Sequence, residues 1–319
     1  MDSSESWHVV VGICTFRRPK MLRRCLASVL AQECPAQWKV EIVVVDNDAE
    51  SDSSETIRSA FSESKYPIHY FIEPRRGIPY ARNAVCRFAV SRDADFIVFI
   101  DDDEEADPGW LMAFARGLEA YDADAYVGPV RPVFPPGYQD WLERKRFAST
   151  KHGALLRRAA TNNVMFRTSL LGPEGGLLQF DTNMALTGGE DKDFFMRLVH
   201  RGGRIVYLSD AVVSEVVLPN RLTIRWRLKR QYCSRANRIY VELKLFGAKK
   251  TARRAAKELV QYGVKGTLRL VFAPVMLFGG YRKFKRSWYY GLKHFATVGG
   301  IIAGLRRRQV QFYRETDGY

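Results

Sequence analysis

Short, mostly apolar runs recur over the first hundred positions: His8 to Ile13 (HVVVGI), Val40 to Val45 (VEIVVV), Ile68 to Phe71 and the unbroken Phe96 to Ile100. Runs of this length, rich in β-branched side chains, predict strands covered on both faces. Between them the apolar positions recur at helical spacing. Leu22, Leu26, Val29 and Leu30 follow Pro19, a residue suited to a first helical turn. Ser53 or Ser54 is expected to cap a short helix, Arg75-Arg76-Gly77 to turn the chain, and Pro79 to Ser91 to form the next helix. This alternation predicts an α/β domain with a mostly parallel sheet and helices on both faces.

Farther along, Asp107-Pro108-Gly109-Trp110 predicts a capped amphipathic helix with Trp110, Leu111, Phe114 and Leu118 inward. Ala125 to Val130 predicts a further strand. The irregular stretch from Pro132 to Arg158, with its prolines, aromatics and basic residues, is expected to be a substrate loop. Asn162-Asn163 then lead into apolar Val164-Met165-Phe166, as at a strand entering beside a site.

Polar residues sit where the early strands stop. Thr15 to Arg17, Asp46 to Asp48 and Asp101 to Asp103 are predicted at the C-terminal ends of three strands, hence along the rim where open α/β sheets take ligands. Asp101-Asp102-Asp103-Glu104-Glu105 is the most charged of these ends, and its carboxylates repel unless something positive compensates them. Hard carboxylate oxygens suit Mg²⁺ or Mn²⁺ bridging to phosphates; a solvated acidic loop is the plainer alternative. No GxGxxG or GxxxxGK[ST] follows the first strand, so phosphates would fall to a cation and to Arg17, Arg75, Arg76 and Arg82. Asp46 would accept hydrogen bonds from a ribose or a base edge. Taken singly, each of these residues is as often a surface or capping residue.

A second constellation, Gly188-Gly189-Glu190-Asp191-Lys192-Asp193, opens a helix whose Phe194, Phe195, Leu198 and Val199 turn inward. Carboxylates in a first turn stabilise the helix N-terminus. The functional alternative is that the paired glycines admit a ligand while one carboxylate faces it as a general base.

Composition divides the chain in two. The net charge is +15 over 319 residues, but residues 216–319 hold 24 Lys and Arg against 4 Asp and Glu, a net of +20. The first 215 residues therefore sum to −5. Such asymmetry calls for an anionic partner at the basic end. Hydrophobic residues at 46%, with 13% aromatic, exclude a mostly disordered chain. Cys14, Cys25, Cys34, Cys86 and Cys233 form no CxxC pair and are expected to be buried thiols in a reducing compartment. Met1 to Ser6 is polar and acidic, so no leader peptide is expected.

With Cys14-Thr15-Phe16-Arg17, Asp46-Asn47, Arg76-Gly77, Ala81-Arg82-Asn83, Asp101-Asp102-Asp103 and Gly189-Glu190-Asp191-Lys192-Asp193-Phe194 in this order, the chain resembles the family 2 glycosyltransferases over about residues 7–215. Gly77-Ile78-Pro79-Tyr80-Ala81-Arg82-Asn83-Ala84 and the triple aspartate look most like bacterial exopolysaccharide enzymes of the succinoglycan type. The resemblance implies a GT-A fold and inverting transfer from a nucleotide sugar, UDP-linked, to a hydroxyl of a glycan or polyprenyl-linked acceptor. It assigns Thr15, Phe16, Arg17, Asp46, Asn47, Arg76, Arg82, Asp101 and Asp102 to the donor. Asp101 and Asp103 match the DxD motif that holds Mg²⁺ or Mn²⁺. Asp191 matches the base, with Glu190 beside it. Relatives often bring a His to the metal after the last strand; this chain has Val213-Ser214-Glu215-Val216 there. A processive enzyme's QxxRW is absent, since Leu222 stands where its Gln would be, so a single addition is expected.

The resemblance leaves residues 219–319 aside, and they read as a basic, amphipathic helical region beyond a domain spanning 1–218. Leu268 to Gly280 is apolar but carries Arg269 and Pro274, short of the roughly 18–20 uncharged residues of a clean span. Tyr281 to Tyr290 interleaves aromatics with cations, as in helices lying in an anionic membrane interface at the cytoplasmic face. Two rival classes remain. A nucleic-acid-binding protein would use the same cations, but no nucleic-acid module is visible and the acidic rim would repel the ligand. A nucleotidyltransferase would carry a Gly- and Arg/Lys-rich loop after the first strand, where this chain has Thr15-Phe16-Arg17-Arg18-Pro19.

Overall fold

The computed structural model describes residues 6–50, 55, 57, 64–138 and 149–307. Ser53 and Ser54, expected to cap a short helix, and the middle of the expected substrate loop (139–148), lie outside them. The opening alternation is as the apolar pattern predicts: β1 (His8–Thr15), α1 (Pro19–Leu30), β2 (Lys39–Asp46), β3 (Ile68–Ile72), α2 (Ile78–Ser91) and β4 (Phe96–Asp101). β5 (Glu104–Ala106), α3 (Trp110–Ala120), β6 (Ala125–Val127), β7 (Val130–Val133), β8 (Leu155–Leu156) and β9 (Asn163–Arg167) follow. The chain continues through α4 (Glu190–His200), β10 (Ile205–Tyr207), β11 (Val213–Val216), α5 (Ile224–Val271) and α6 (Tyr281–Leu305).

Eight strands form one sheet in the order β3-β2-β1-β4-β9-β6-β10-β8, and β5-β11-β7 form a small second sheet. β3, β2, β1 and β4 are mutually parallel, whereas β9 runs antiparallel to both β4 and β6. Each face of the large sheet carries its own apolar layer. One packs Val9, Val11 and Ile13 under α1 and α3; the other packs Val43, Val45 and Ile97 under α2 and α4.

Two local expectations change. The strand expected from Ala125 to Val130 is two strands in different sheets, β6 and β7. Pro129 between them has no N–H to offer a ladder, so the chain leaves one sheet there and joins the other. Asp107 does not cap α3. That helix begins after Gly109, Gln32 Oε1 accepts the Trp110 N–H at 2.9 Å, and the Asp107 carboxylate accepts from Ser214 and Arg131 instead.

At the end of the sheet away from the predicted rim, Glu41 on β2 is almost wholly buried and surrounded by two cations and two imidazoles. It accepts from Lys39 at 2.7 Å, His69 at 2.8 Å, His8 at 2.9 Å and Arg92 at 3.2 Å. Burial pushes this carboxyl up, but the hydrogen bonds from Lys39, Arg92 and His69 outweigh it and hold the pKa at about 2, against an ordinary 4.5. A depressed acid stabilises the fold fully above its unfolded pKa and loses that stabilisation as pH falls through the folded one. The contribution is about 3 kcal/mol. Unfolding free energies of wild type and Glu41→Gln, from urea titration, are therefore expected to differ by about this much at pH 7 and to converge between pH 4.5 and 2. A constant gap across that window would refute the role.

The basic C-terminal region folds as helices packed on the α/β part. α5 is interrupted at Gly247, whose φ of 75° and ψ of 167° only glycine adopts easily. A straight helix would hold Arg235 and Glu258 some 35 Å apart. They are ion-paired at 2.7 Å, so the chain doubles back into two limbs, 224–246 and 248–271. α6 completes a three-rod bundle, with Gly291 against Leu270 and Gly304 against Ile239. Asn237 of the first limb donates to the carbonyls of Thr187 and Gly188, fastening the bundle to the loop before α4. Among the described residues no helix is long and apolar enough to cross a membrane.

Candidate active site

Strand register builds the rim. Thr15 pairs with Asp46 across β1 and β2, and Cys14 pairs with Asp101 across β1 and β4, so the three polar strand ends stop level. Beyond Asp101 the chain turns through Asp102 and Asp103 into β5, which pairs antiparallel with β11. Five consecutive acids thus leave the sheet edge in different directions.

Each is compensated differently. Asp102 is buried, accepting from the Thr15 hydroxyl at 2.7 Å and from Arg18 at 3.1 Å. Burial lifts its pKa to about 7 against the pull of Arg18. Asp103 takes Arg221 at 3.0 Å and Arg18 at 3.4 Å on one oxygen. Glu104 turns inward, accepting the Asp101 N–H at 3.2 Å and the Asn162 amide at 2.8 Å, and burial raises it well above its ordinary range. Glu105 points out toward Arg24. Asp101 keeps a side chain 40% exposed, with Arg82 at 3.5 Å.

The second constellation comes to the same place. Gly189 precedes α4 with φ 97°, and a Cβ there would lie 3.1 Å from the Asn237 side chain, so glycine lets the first limb of α5 approach. Glu190 then points inward and pairs with buried Arg82, while its second oxygen is buried without a hydrogen-bond partner. Burial raises Glu190 to about 7, Arg82 opposing and Asp191 adding. Asp191 is half-buried and accepts the Lys192 N–H at 2.7 Å. Its charge acts on both Arg82 and Asp101. Lys192 and Asp193 are turned to the first limb of α5, Lys192 to Ser234 at 2.9 Å and Asp193 to Lys244 at 3.2 Å. Arg82, from α2, is therefore the cation shared by the strand-end acids and the helix-start acids.

At the other end of the rim a hollow of about 230 Å³ is lined by Phe16, Arg17, Asn47, Asp48, Glu50 and Arg76, with Ala49 and Pro74. The Arg17 and Arg76 guanidinium groups both stand 5.2 Å from the Phe16 ring centre. Arg17 has a φ of 55° and is held by Asp48 at 2.6 Å. Two of the residues predicted here serve the protein's own frame. Asp46 is fully buried, accepting from the Tyr70 hydroxyl at 3.1 Å and the Asp48 N–H at 3.2 Å. Asn47 staples the loop, donating to the carbonyls of Glu73 and Arg75 and accepting from the Gly77 N–H. Arg75, also predicted as a phosphate contact, pairs with Glu73 at 2.8 Å.

The sequence pattern passed over Arg18, Arg221 and Asn237. Arg221 stands in the 3₁₀ turn Pro219–Leu222 between β11 and α5, and it bonds both Asp103 and Glu215. It thus reaches the acidic turn from the segment that lacks the relatives' His. Its one legible signal was its place just after the last strand.

The donor set has the chemistry of a hard divalent cation. Among the described residues no three His, Cys, Asp or Glu side chains close into a metal cage. Asp101 and Asp103 nonetheless offer the one or two carboxylates that Mg²⁺-type sites combine with substrate phosphates. Burial raises the Asp101 carboxyl, with Arg82 and Arg18 opposing the rise and Asp103 and Asp191 adding to it.

Comparison with known proteins agrees with this architecture. The chain is 29% identical over 318 residues to the succinoglycan biosynthesis protein ExoM of Rhizobium meliloti, covering 98% of both. It is 24% identical over 243 residues to a glucosyl-dolichyl phosphate glucuronosyltransferase of Haloferax volcanii, covering 70% of this chain and 74% of that one. The fold matches the mannosyltransferase PcManGT of Pyrobaculum calidifontis, solved with GDP-Man and Mn²⁺, with a TM-score of 0.60 at 19% identity, over 94% of this chain and 88% of that one. It also matches S. aureus TarS 1–349 in complex with UDP-GlcNAc, with a TM-score of 0.52 at 16% identity, over 98% and 95%. The α/β part is thus GT-A-like, a mostly parallel mixed sheet flanked by helices. Residues 10–171, from the first buried strand past the acidic turn, match the profile described as Glycosyl transferase family 2, and the chain belongs to this family of glycosyltransferases.

Proposed function

We propose that this enzyme moves a sugar, with inversion, from a UDP-linked donor to a hydroxyl of a glycan or polyprenyl-linked acceptor in exopolysaccharide assembly. The near-full-length similarity to a succinoglycan biosynthesis protein and the partial similarity to an enzyme named for a dolichyl phosphate substrate support this class of acceptor. The observation that carries the reading is that one guanidinium, Arg82, pairs with both Asp101 and Glu190, 89 residues apart in sequence, and so joins the strand-end acids to the helix start that carries Asp191.

In this reaction Asp191 takes the proton of the acceptor hydroxyl as its oxygen bonds the anomeric carbon. The bond from that carbon to the UDP oxygen breaks on the opposite face. Being half-buried rather than enclosed, Asp191 is open to an acceptor, whereas Glu190 is locked to Arg82 and positions that guanidinium. Phe16, flanked by Arg17 and Arg76, offers the nucleobase a face at the far end of the rim. Thr15 holds Asp102 in place beneath the ribose and diphosphate path. Mg²⁺ or Mn²⁺ held by Asp101 and Asp103 would supply Lewis-acid stabilisation of the departing diphosphate. Arg18 and Arg221 already bring positive charge to the same carboxylates.

The basic helical bundle supports work at an anionic membrane surface on the cytoplasmic side, where a polyprenyl-linked acceptor is presented. Incubation with a panel of nucleotide sugars is expected to release UDP when Mg²⁺ or Mn²⁺ is added and to release none in excess EDTA. Pyrophosphate as the product would replace sugar transfer with nucleotidyl transfer. UDP release undiminished by EDTA would remove the cation from the reaction.

A further inference from the structure

The cations of the C-terminal region are spread along all three rods, but its densest run of exposed apolar side chains lies at one end. Val271, Phe272, Val275, Leu277, Phe278 and Tyr281 are all at least half exposed, and Phe278 is 96% exposed. They occupy the turn that joins the second limb of α5 to α6. No Asp or Glu occurs anywhere from residue 259 to 307. Arg282, Lys283, Lys285 and Arg286 stand within the first turns of α6, just behind the apolar turn, and Lys265 and Arg269 stand behind it on the other rod. An apolar cap backed by a ring of cations has the order of a bilayer's acyl boundary and its anionic headgroups.

The packing register fixes where this cap lies. Gln231 of the first limb bonds Thr297 of α6 at 2.9 Å, and Gly304 of α6 faces Ala236 and Ile239. These two rods therefore run parallel, with Ile224 level with about residue 290. The cap, 271–281, lies beyond that level. It is thus at the end of the bundle where the chain arrives from Arg221, the residue bonded to Asp103 on the acidic turn.

We propose that the cap 271–281 inserts into the headgroup and outer acyl layer of an anionic leaflet, tip first, and so sets the acidic pocket at the bilayer surface. This rests on the reading that the enzyme works at a membrane, and it replaces helices lying flat with a bundle standing on its turn. Insertion of this kind needs no spanning helix. Apolar burial supplies the hold, and the cations behind it select anionic lipid. The pocket then faces acceptors whose reactive end protrudes from the same leaflet.

The test is vesicle flotation of the full-length protein with phosphatidylcholine alone and with added phosphatidylglycerol. The wild type is expected to float with the anionic vesicles. Leu277→Glu/Phe278→Glu is expected to lose partitioning at least tenfold, whereas Val260→Glu/Val264→Glu, on an exposed flank of the second limb, stays within about twofold. Both pairs replace solvent-exposed side chains, and unchanged donor turnover checks that they fold. If the wild type ignores anionic vesicles, the membrane reading fails and the insertion with it. If the wild type floats and the flank pair is lost instead of the cap pair, the helices lie flat and only the insertion is overturned. If the cap pair changes the oligomeric mass and not flotation, the cap is covered by a second copy of this chain, which also overturns it.

Discussion

Asp191→Asn is expected to lower turnover by about 10²–10⁴-fold, the range that one positioned general base supplies, while donor affinity is retained. Asparagine keeps the size of the side chain, and its carbonyl oxygen still accepts the Lys192 N–H. It cannot take a proton. The neighbouring carboxylate offers no substitute, because Glu190 is buried and paired with Arg82, out of reach of an acceptor entering from solvent. Calorimetric titration with UDP-sugar would show binding unchanged, and acceptor-dependent UDP release would show the loss. Full turnover with intact binding would remove Asp191 from its role and leave this pocket without a base.

Arg82→Met is expected to destabilise the fold by about 3–5 kcal/mol, since it removes one partner of a buried pair. Methionine fills much of the space but leaves Glu190 buried with no counter-charge, and one Glu190 oxygen is already without a partner. The cost depends on pH in a defined direction. Glu190 already has a folded pKa raised to about 7 from an ordinary 4.5, chiefly by burial, so its ionisation works against the fold as pH rises through that window. Without Arg82 the folded pKa climbs further, and the penalty is larger at pH 8 than at pH 5. Urea midpoints at the two pH values would show this. Adding Glu190→Gln is expected to return a good part of the stability at pH 8, measured as coupling in a double-mutant cycle. Equal losses at both pH values would mean that Arg82 matters only as packing.

The rim was legible because its signal is local. Continuous apolar runs ending in Thr15, Asp46 and Asp101 read as buried parallel strands, and parallel strands in register must end together. The Gly188-Gly189 pair before Glu190 likewise announces a tight approach at a helix start. What the pattern does not carry is which distant group answers each charge. Arg18 follows a strand with no mark separating it from Arg17, yet one turns to the acids and the other to Asp48. Arg221, Asn237 and Lys244 reach the site through packing of the C-terminal helices, which no periodicity in the first 215 residues encodes. The helix-favouring stretch that begins at Arg221 stops at Phe246, just before Gly247. The Gly247 backbone, the Thr251 bond to the Glu242 carbonyl and the Arg235–Glu258 pair show that the chain reverses there.

Strand β2 carries Glu41 near its start and Asp46 at its finish. The acid-sensitive charge network around Glu41 and the polar rim that Asp46 helps to frame are thus mounted at opposite poles of one rigid element. Engineers seeking a hardier enzyme can work at the first pole, since four intervening residues of sheet separate it from the rim.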